Sequence, residues 1–306
     1  MLRATPPIRR VVLVVPDGLR PDAIAAGALP TLSRLLPRSA HTLSAQTVTP
    51  SVTACAMASM LTGAPPARHG LQGDRFALPR PRGTIDPLPR LLAAHELPSS
   101  AFMAEVPFVM RPIAHRIAGV LGFGEARLRG ADAAAIVDHA LPQLAAQERG
   151  LVVLHWPDAD RAGHAEGWMS AGYLDAARAL DAALGRVVDA LDLADPRTLL
   201  VVAADHGGGG IVPTRHDSTH AADTTIPVLL AGGAVAPMRL GADVSLLDIP
   251  ATIAWALGIP LPASYAGRPL SHAFPAVRLL ASDRQVIATA PEPEYIDAVV
   301  GECSRR

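Results

Sequence analysis

The chain has 306 residues, and its 27 cationic side chains, all of them arginine, nearly balance 28 acidic ones. A net charge this close to zero argues against a dedicated binder of nucleic acid polymers or membrane surfaces, because both require a basic excess. The two cysteines, Cys55 and Cys303, are too few for a disulfide framework or a thiolate zinc site, which leaves Asp and the eleven histidines as candidate metal ligands.

The apolar segments are all shorter than a membrane span. None approaches the ~18–20 residues that a membrane-spanning helix requires. The N-terminal residues also lack a hydrophobic region followed by a small-residue cleavage site. We therefore expect a soluble, cytoplasmic protein with no membrane partner.

Short apolar runs bounded by turn residues alternate with helical patterns along the chain. Such runs are typical of strands that are buried on both faces of a parallel sheet. Strands are predicted at 11–15, 151–154, 198–203 and 226–231. Helices are predicted at 21–36, 53–61, 131–146, 170–193 and 246–257. The alternation predicts an α/β fold with a mostly parallel sheet and helices on both faces.

One long segment, 73–112, does not fit this alternation. It is rich in Pro, Arg and Gly and shows little periodicity. A segment of this length without a pattern of its own is typical of a functional loop. We expect a loop-rich insertion, or small cap, over the site.

Acidic residues follow three of the predicted strands. The first strand runs into Asp17, the second into Asp158 and Asp160, and the third into Asp205 and His206. A single Asp at such a point is most simply a helix N-cap. Ligands of open α/β sheets bind at the carboxyl ends of the strands, however, so three such endings together indicate a site.

Further candidate ligands follow these strand ends. His164 comes four residues after Asp160, and two more imidazoles, His216 and His220, precede the strand at 226–231. Asp and His without thiolate favour Zn²⁺ or Mn²⁺ over Mg²⁺. Six ligands shared between two ions would leave open positions, as in a catalytic site for phosphoryl or sulfuryl transfer. The predicted set is Asp17, Asp160, His164, Asp205, His206 and either His216 or His220.

A hydroxyl-rich segment, 47–63, passes into the helical pattern that begins near Thr53. A Thr at a helix start is most simply an N-cap. The free amides and dipole of a helix N-terminus also stabilise an alkoxide or a phosphate, so a nucleophilic hydroxyl would suit the same position. Both interpretations stay open on the residues alone.

Taken in order, these motifs resemble those of the alkaline phosphatase superfamily, and within it the type I phosphodiesterase/nucleotide pyrophosphatase branch. The resemblance covers most of the chain, and the ordered set is more specific than any one motif. Its elements are Pro16-Asp17-Gly18, the block 53–63 followed by Arg68-His69-Gly70, Asp160-x-x-Gly-His164, Asp205-His206-Gly207, a late histidine before Ile226-Pro227, 246–252 and Gly267-Arg268-Pro269-Leu270.

The resemblance implies an alkaline phosphatase-like core in a single catalytic domain, 1–306, with a reduced cap at about 73–112. It implies a phosphohydrolase with two divalent metal ions, most simply Zn²⁺, acting on a small-molecule phosphate ester. Thr53 takes the place of the family's nucleophile, which would carry the phosphoryl group as a phosphothreonine intermediate. Ser51 and Thr49 are the alternative nucleophiles.

The resemblance also divides the ligands between the two metals. Asp17, Asp205 and His206 would hold the metal that binds the Thr53 alkoxide. The other metal would be held by Asp160, His164 and a late histidine, for which the family spacing favours His216 over His220. Asp158 matches a turn residue, and Arg20, Arg68 and Arg161 are candidates for phosphate contacts.

The sequence departs from the family at one important position. Where nucleotide phosphodiesterases have an Asn three residues after the nucleophile, this chain has Ala56, so an arginine or a backbone amide would have to stabilise the transferring group. The Cys-or-Ser, Pro, Arg signature of sulfatases is absent near Cys55. A phosphomonoesterase, phosphonate hydrolase or phosphosugar mutase with the same site, or a non-catalytic metal-binding protein, are the alternative interpretations.

Overall fold

The structure is a computed structural model that describes residues 8–26, 29–73 and 81–275. Cys303 and the other residues beyond 275 lie outside this range. Among the described helices, none is both long enough and apolar enough to cross a membrane.

In the described part of the chain, eight strands form one sheet in the order β4-β3-β5-β1-β6-β7-β2-β8. Their bounds are β1 Arg10–Pro16, β2 Ala40–Gln46, β3 Ser99–Ala104, β4 Glu125–Gly130, β5 Gly150–Trp156, β6 Thr198–Ala203, β7 Thr225–Ala231 and β8 Met238–Arg239. Pairing is parallel except at β7, which runs antiparallel to β6 and to β2.

Helices cover both faces of the sheet. They are α1 Pro21–Ala26, α2 Pro30–Leu35, α3 Thr53–Thr62, α4 Pro66–His69, α5 Leu88–Ala94, α6 Arg111–Leu121, α7 Ala133–Ala146, α8 Asp158–Glu166, α9 Ala171–Asp189, α10 Ala221–Thr224 and α11 Asp248–Ala256. One group packs α7 on β3, β4 and β5 beside α9, and a second packs α5 on β3 and β5 beside α3 and α11. The predicted α/β class is therefore confirmed.

The three central strands, β5, β1 and β6, form the core of the sheet. Apart from Arg10, every residue in them is buried. Their continuous Val and Leu content suits strands that lie between two helical layers. Because β1 pairs in parallel with both neighbours, all three strands end at the same edge. That edge carries the acidic residues singled out in the sequence.

The expected loop-rich insertion at 73–112 is described from residue 81 onward, and this part is not made of loop alone. Residues of this segment form α5 and β3, and β3 lies inside the sheet between β4 and β5. The strand escaped prediction because it opens with Ser99 and Ser100, both buried. Ser100 Oγ reaches Gln147 Oε1 at 3.2 Å, which satisfies a hydroxyl that looked unsuited to a core strand. Residues 74–80 lie outside the described part.

Candidate metal centre

The first candidate group lies where β1 and β6 end. Asp17 follows β1, and Asp205 and His206 follow β6; one ligand atom from each lies within 4.8 Å of the others. His206 Nε2 is 3.2 Å from Asp17 Oδ1 and 3.6 Å from Asp205 Oδ2. All three residues are buried. The parallel pairing of adjacent strands is what brings together residues so far apart in sequence.

The second candidate group shares His206 and adds Asp160 and His216, again within 4.8 Å of one another. His164 lies beside it, since its Nε2 is 3.4 Å from Asp160 Oδ1 and 3.1 Å from His216 Nε2. This group is more open than the first. The side chains of Asp160 and His164 are 15% and 47% exposed.

A close backbone approach brings the two groups together. The amide of Asp160, in the first turn of α8, donates to the carbonyl of Asp17 at 3.1 Å. Gly18, at φ 69°, would place a Cβ only 3.0 Å from Asp160 Cα. The Asp17-Gly18 turn therefore requires glycine both for its left-handed backbone and for this contact.

The three clustered histidines share one hydrogen-bonding arrangement. The Nδ1 atoms of His206, His216 and His164 lie 2.7–2.9 Å from the carbonyl oxygens of Gly207, Ser51 and Thr214, respectively. A carbonyl can only accept, so each Nδ1 carries a proton and donates it. In the neutral ring Nε2 is then a lone-pair acceptor aimed into the cluster, as in metal-ligating histidines.

Several buried atoms of the cluster have no hydrogen-bond partner. They are Asp17 Oδ1, Asp160 Oδ1, Asp205 Oδ2 and His155 Nε2. Buried polar groups without partners are costly and rare. Three carboxylate oxygens converge beside imidazole Nε2 atoms, and such a set of N and O ligand atoms fits divalent cations that prefer them.

The pKa shifts in the first group also agree with a site for a divalent cation. Burial, reinforced by the Asp205 carboxylate, raises the pKa of Asp17 to about 6. Burial acts to lower the pKa of His206, but Asp205 and Asp17 outweigh it and raise that pKa to about 10. Burial acts to raise the pKa of Asp205, yet the His206 and His155 imidazoles hold it well below its usual range. Without a cation, a proton on His206 compensates the two carboxylates.

Cation binding should therefore release protons at pH 7. His206 Nε2 must lose its proton to become a ligand, and Asp17 must be fully ionised. Raising the pH from 6 to 8 removes competing protons, so the affinity for Zn²⁺ should rise. Calorimetric titration of Zn²⁺ in buffers of different ionisation enthalpy measures the release. A His220→Asn variant should release as many protons as the wild type, and a binding heat independent of the buffer would contradict the prediction.

Thr53 faces the same cluster from α3. Val52 occupies the N-cap position without a side-chain cap, so Thr53 is the first helical residue and not the cap. Its Oγ1 lies 3.0 Å from His206 Nε2. Of the two interpretations of this threonine, the geometry favours the hydroxyl directed at the candidate ligands.

The alternative nucleophiles and ligands lie elsewhere. Ser51 Oγ donates to the carbonyls of His216 and Ser218, and Thr49 is exposed. His220 caps α10, where its Nδ1 accepts from the Ala222 amide at 3.1 Å. Asp158 accepts from the Ala133 amide at 2.9 Å, in keeping with a structural role.

The three arginines near the ligands in sequence are bound to backbone carbonyls. Their guanidinium groups donate to Gly208, Ser264 and Ala131, in the order Arg20, Arg68 and Arg161. Arg20 also pairs with Asp22. These contacts connect loops to one another, and they do not direct the three guanidinium groups into the cluster of candidate metal ligands.

Two residues of the site were missed by the sequence analysis. Buried His155, in β5, faces Asp17 and Asp205; its position near a strand end was the available signal. Trp168 lies edge-on to His164 and His216, with ring centroids 5.2 and 5.6 Å apart. No motif marks this tryptophan, so only the fold reveals it.

The Trp168 indole fills the space beside the glycine run that follows His206. A Cβ on Gly208 would lie 2.1 Å from Trp168 Cε2. Gly208→Ala should therefore destabilise the fold by about 1–3 kcal/mol, the usual cost of overpacking. Urea denaturation measures the change. Gly119→Ala is the matched control, because nothing lies within 4 Å of that Cβ in α6, and it should be neutral or stabilising by up to ~1 kcal/mol. An unchanged midpoint for Gly208→Ala would contradict the packing argument.

Two family profiles match the parts of the chain that carry this centre. Residues 122–261 match the profile described as Metalloenzyme superfamily, and residues 11–84 match that of type I phosphodiesterase/nucleotide pyrophosphatase. The two profiles cover the strands and loops that carry the clustered ligands. Both profile matches agree with the resemblance to the alkaline phosphatase superfamily that the sequence motifs indicated.

Curated relatives match over less than half of the chain. The chain is 31% identical over 144 residues to the 2,3-bisphosphoglycerate-independent phosphoglycerate mutase of Gloeobacter violaceus, covering 44% of this chain and 26% of that enzyme. The corresponding mutase of Syntrophotalea carbinolica is 34% identical over 143 residues, with 45% and 26% covered. The matched region thus spans about a quarter of the length of these relatives.

Solved structures share the fold at low sequence identity. A 2-O GAG sulfatase superposes with a TM-score of 0.68 at 14% identity, covering 92% of this chain and 76% of that one. The phosphonate monoester hydrolase of Silicibacter pomeroyi gives 0.65 at 17%, with 92% and 78% covered. An inactive murine ectonucleotide pyrophosphatase/phosphodiesterase 5 in complex with AMP gives 0.65 at 13%, with 83% and 96% covered. These likenesses establish the fold and select no single reaction.

Proposed function

We propose that the protein is a two-metal phosphohydrolase, a phosphodiesterase of the nucleotide pyrophosphatase type that acts through a phosphothreonine on Thr53. The observation that carries the proposal is the Thr53 hydroxyl, 3.0 Å from the His206 Nε2 that both candidate ligand groups share. A metal-binding protein without catalysis has no use for a hydroxyl directed at its ligands, so this contact favours an enzyme.

The side chains divide into two sets. One cation would be held by Asp17, Asp205 and His206, and the other by Asp160, His164 and His216. When bound, the cations, most simply Zn²⁺ with Mn²⁺ as the alternative, would supply the positive charge that favours the ionised Thr53 hydroxyl and offsets the charge of the phosphoryl group.

The buried end of the site suits the nucleophile. Thr53 Oγ1 attacks phosphorus in line with the departing oxygen, whose bond to phosphorus breaks; the phosphoryl group, still esterified to the second substituent of the diester, passes to the threonine. Near the exposed His164, where solvent has access, the leaving group departs and water can enter to hydrolyse the phosphothreonine. The contrast in burial between the two ligand groups supports this direction of attack.

Backbone amides take the role of the missing asparagine. Ala56 is buried and offers no donor from its side chain, and its amide is bonded to the Val52 carbonyl. The amides of Thr53 and Ala54 precede that first intrahelical bond. We assign these two amides as hydrogen-bond donors to the equatorial oxygens of the phosphoryl group. The assignment is consistent with the guanidinium groups of Arg20, Arg68 and Arg161, which donate to backbone carbonyls instead.

A mutase acting on a small phosphorylated substrate is the second candidate, because the curated relatives are phosphoglycerate mutases. Such an enzyme would return the phosphoryl group from Thr53 to a second hydroxyl of the substrate instead of to water. The match to about a quarter of those enzymes leaves most of their length without a counterpart in this comparison.

An activity panel tests the proposal. Protein loaded with Zn²⁺ or Mn²⁺ would be assayed on aryl phosphodiester, phosphomonoester, phosphonate monoester and sulfate ester substrates, with metal content measured on the same sample. The proposal expects two cations per chain and the highest kcat/KM on the phosphodiester. If turnover is highest on a monoester or phosphonate, that activity replaces the diesterase assignment. Two tightly bound cations with no turnover would overturn the proposal that the protein is an enzyme.

A further inference from the structure

His155 is a buried imidazole that the proposed chemistry does not use. It is the sixth residue of β5 and lies beside Val15 of β1 in the strand register. It is 6% exposed. Its Nε2 lies 3.4 Å from Asp17 Oδ2 and 4.0 Å from Asp205 Oδ2. A buried polar ring near the end of an otherwise apolar strand needs a partner to offset the loss of hydration.

The two oxygens of Asp17 face different neighbours. Oδ1 lies 3.2 Å from His206 Nε2, on the side where the first ligand group converges. Oδ2 faces His155. His155 therefore neighbours the Asp17 oxygen that does not face His206, where it is placed to hold the carboxylate.

The other ligands are held in a comparable way through their second polar atom. Asp205 Oδ1 accepts from the amides of Gly18 and His206 at 3.2 and 3.0 Å, which leaves Oδ2 for a cation. His206 and His216 donate from Nδ1 to backbone carbonyls. For Asp17 Oδ2 the corresponding neighbour is His155.

We propose that His155 is a positioning residue for the first cation, whose Nε2–H donates to Asp17 Oδ2 and so directs Oδ1 at the metal. The inference rests on the proposed two-metal function. The distance of 3.4 Å is longer than a typical N–H···O hydrogen bond, so the proposed bond requires the two side chains to approach each other. Outer-shell partners of this kind orient a ligand and are worth ~10–100-fold in metal affinity.

Calorimetric titration of the full chain with Zn²⁺ tests this role. His155→Leu removes the donor, and one of the two Zn²⁺ affinities should fall ~10–100-fold while the other stays unchanged. His155→Gln keeps an N–H donor at similar reach and should restore most of the lost affinity. His69→Gln is the matched control: a buried histidine, hydrogen-bonded to Ser59, that should leave both affinities at the wild-type value.

The outcomes separate the two proposals. A wild-type chain that binds no Zn²⁺ would overturn the proposed function and the role of His155 with it. If His155→Leu binds both Zn²⁺ ions with wild-type affinity, the role proposed for His155 is overturned and the proposed function is not. If His155→Gln is as weak as His155→Leu, an N–H donor at this position does not support the cation and the assigned role is wrong. Thermal unfolding of the metal-free variants detects a merely structural effect. Such an effect would lower the midpoint of unfolding and would reduce the affinities for both cations together. If His155→Leu does not fold, the His155→Gln titration still decides, since a large loss there contradicts the proposal.

Discussion

Thr53→Ala should reduce turnover of an aryl phosphodiester by at least ~10³-fold, because it removes the group that forms the covalent intermediate. Metal content should stay at the wild-type value, since the carboxylates and imidazoles of the two ligand groups remain. Thr53→Ser, which keeps a hydroxyl on the same atom, should retain measurable turnover. Steady-state kinetics and elemental analysis on the same preparations check both statements.

The matched control is Thr62→Ala at the other end of α3. Thr62 Oγ1 donates to the Ala58 carbonyl at 2.6 Å within the helix, so its loss should leave kcat nearly unchanged. Acid-quenched wild-type reactions with the diester should carry a phosphoryl group, with its remaining ester substituent, on the peptide that contains Thr53. Intact turnover in Thr53→Ala would assign the nucleophile elsewhere, with Ser51 as the next candidate.

Asp205→Asn should remove one of the two cations. The amide oxygen can still accept from the Gly18 and His206 amides, so the loop keeps its shape, but the neutral Nδ2 group replaces the Oδ2 that faces the cluster. Because an outer-shell partner alone is worth ~10–100-fold in affinity, loss of a direct ligand should cost more. Elemental analysis after dialysis should give one cation per chain and phosphodiester turnover should be lost.

Asp158→Asn is the control for this change. Its carboxylate lies two residues before Asp160 but accepts from the Ala133 amide outside the cluster. The metal content of this variant should match the wild type. Two cations retained in Asp205→Asn would contradict the division of ligands between the two groups.

The centre of the fold could be predicted because its sequence pattern is strong. β1, β5 and β6 are unbroken aliphatic runs, which is what burial between two helical layers requires. Once these strands are identified, the common edge at which they end follows from parallel pairing. The convergence of Asp17, Asp160 and Asp205 follows from that edge, so the positions of these carboxylates were predictable without coordinates.

The edges of the sheet and the supports of the site were not predictable in this way. β4 carries two arginines and a glutamate along six residues, as edge strands often do, and its apolar signal is correspondingly weak. The antiparallel direction of β7 depends on its partners and leaves no mark in its own composition. Trp168 and His155 act through contacts between distant segments, which no local pattern encodes.

The central strand order β5-β1-β6 ties the cation site to the folding of the whole chain. Of the first ligand group, one residue follows β1 and two follow β6, and α8, which comes after β5, carries Asp160 of the second group. A chain in which these strands are unpaired has no assembled cation site, so the folded state alone would bind metal tightly. Binding that favours the native state in this way adds ~2.7 kcal/mol when the free cation is at 100 times Kd. Metal supply would then govern how long the protein survives heat and proteolysis, independently of any reaction it performs.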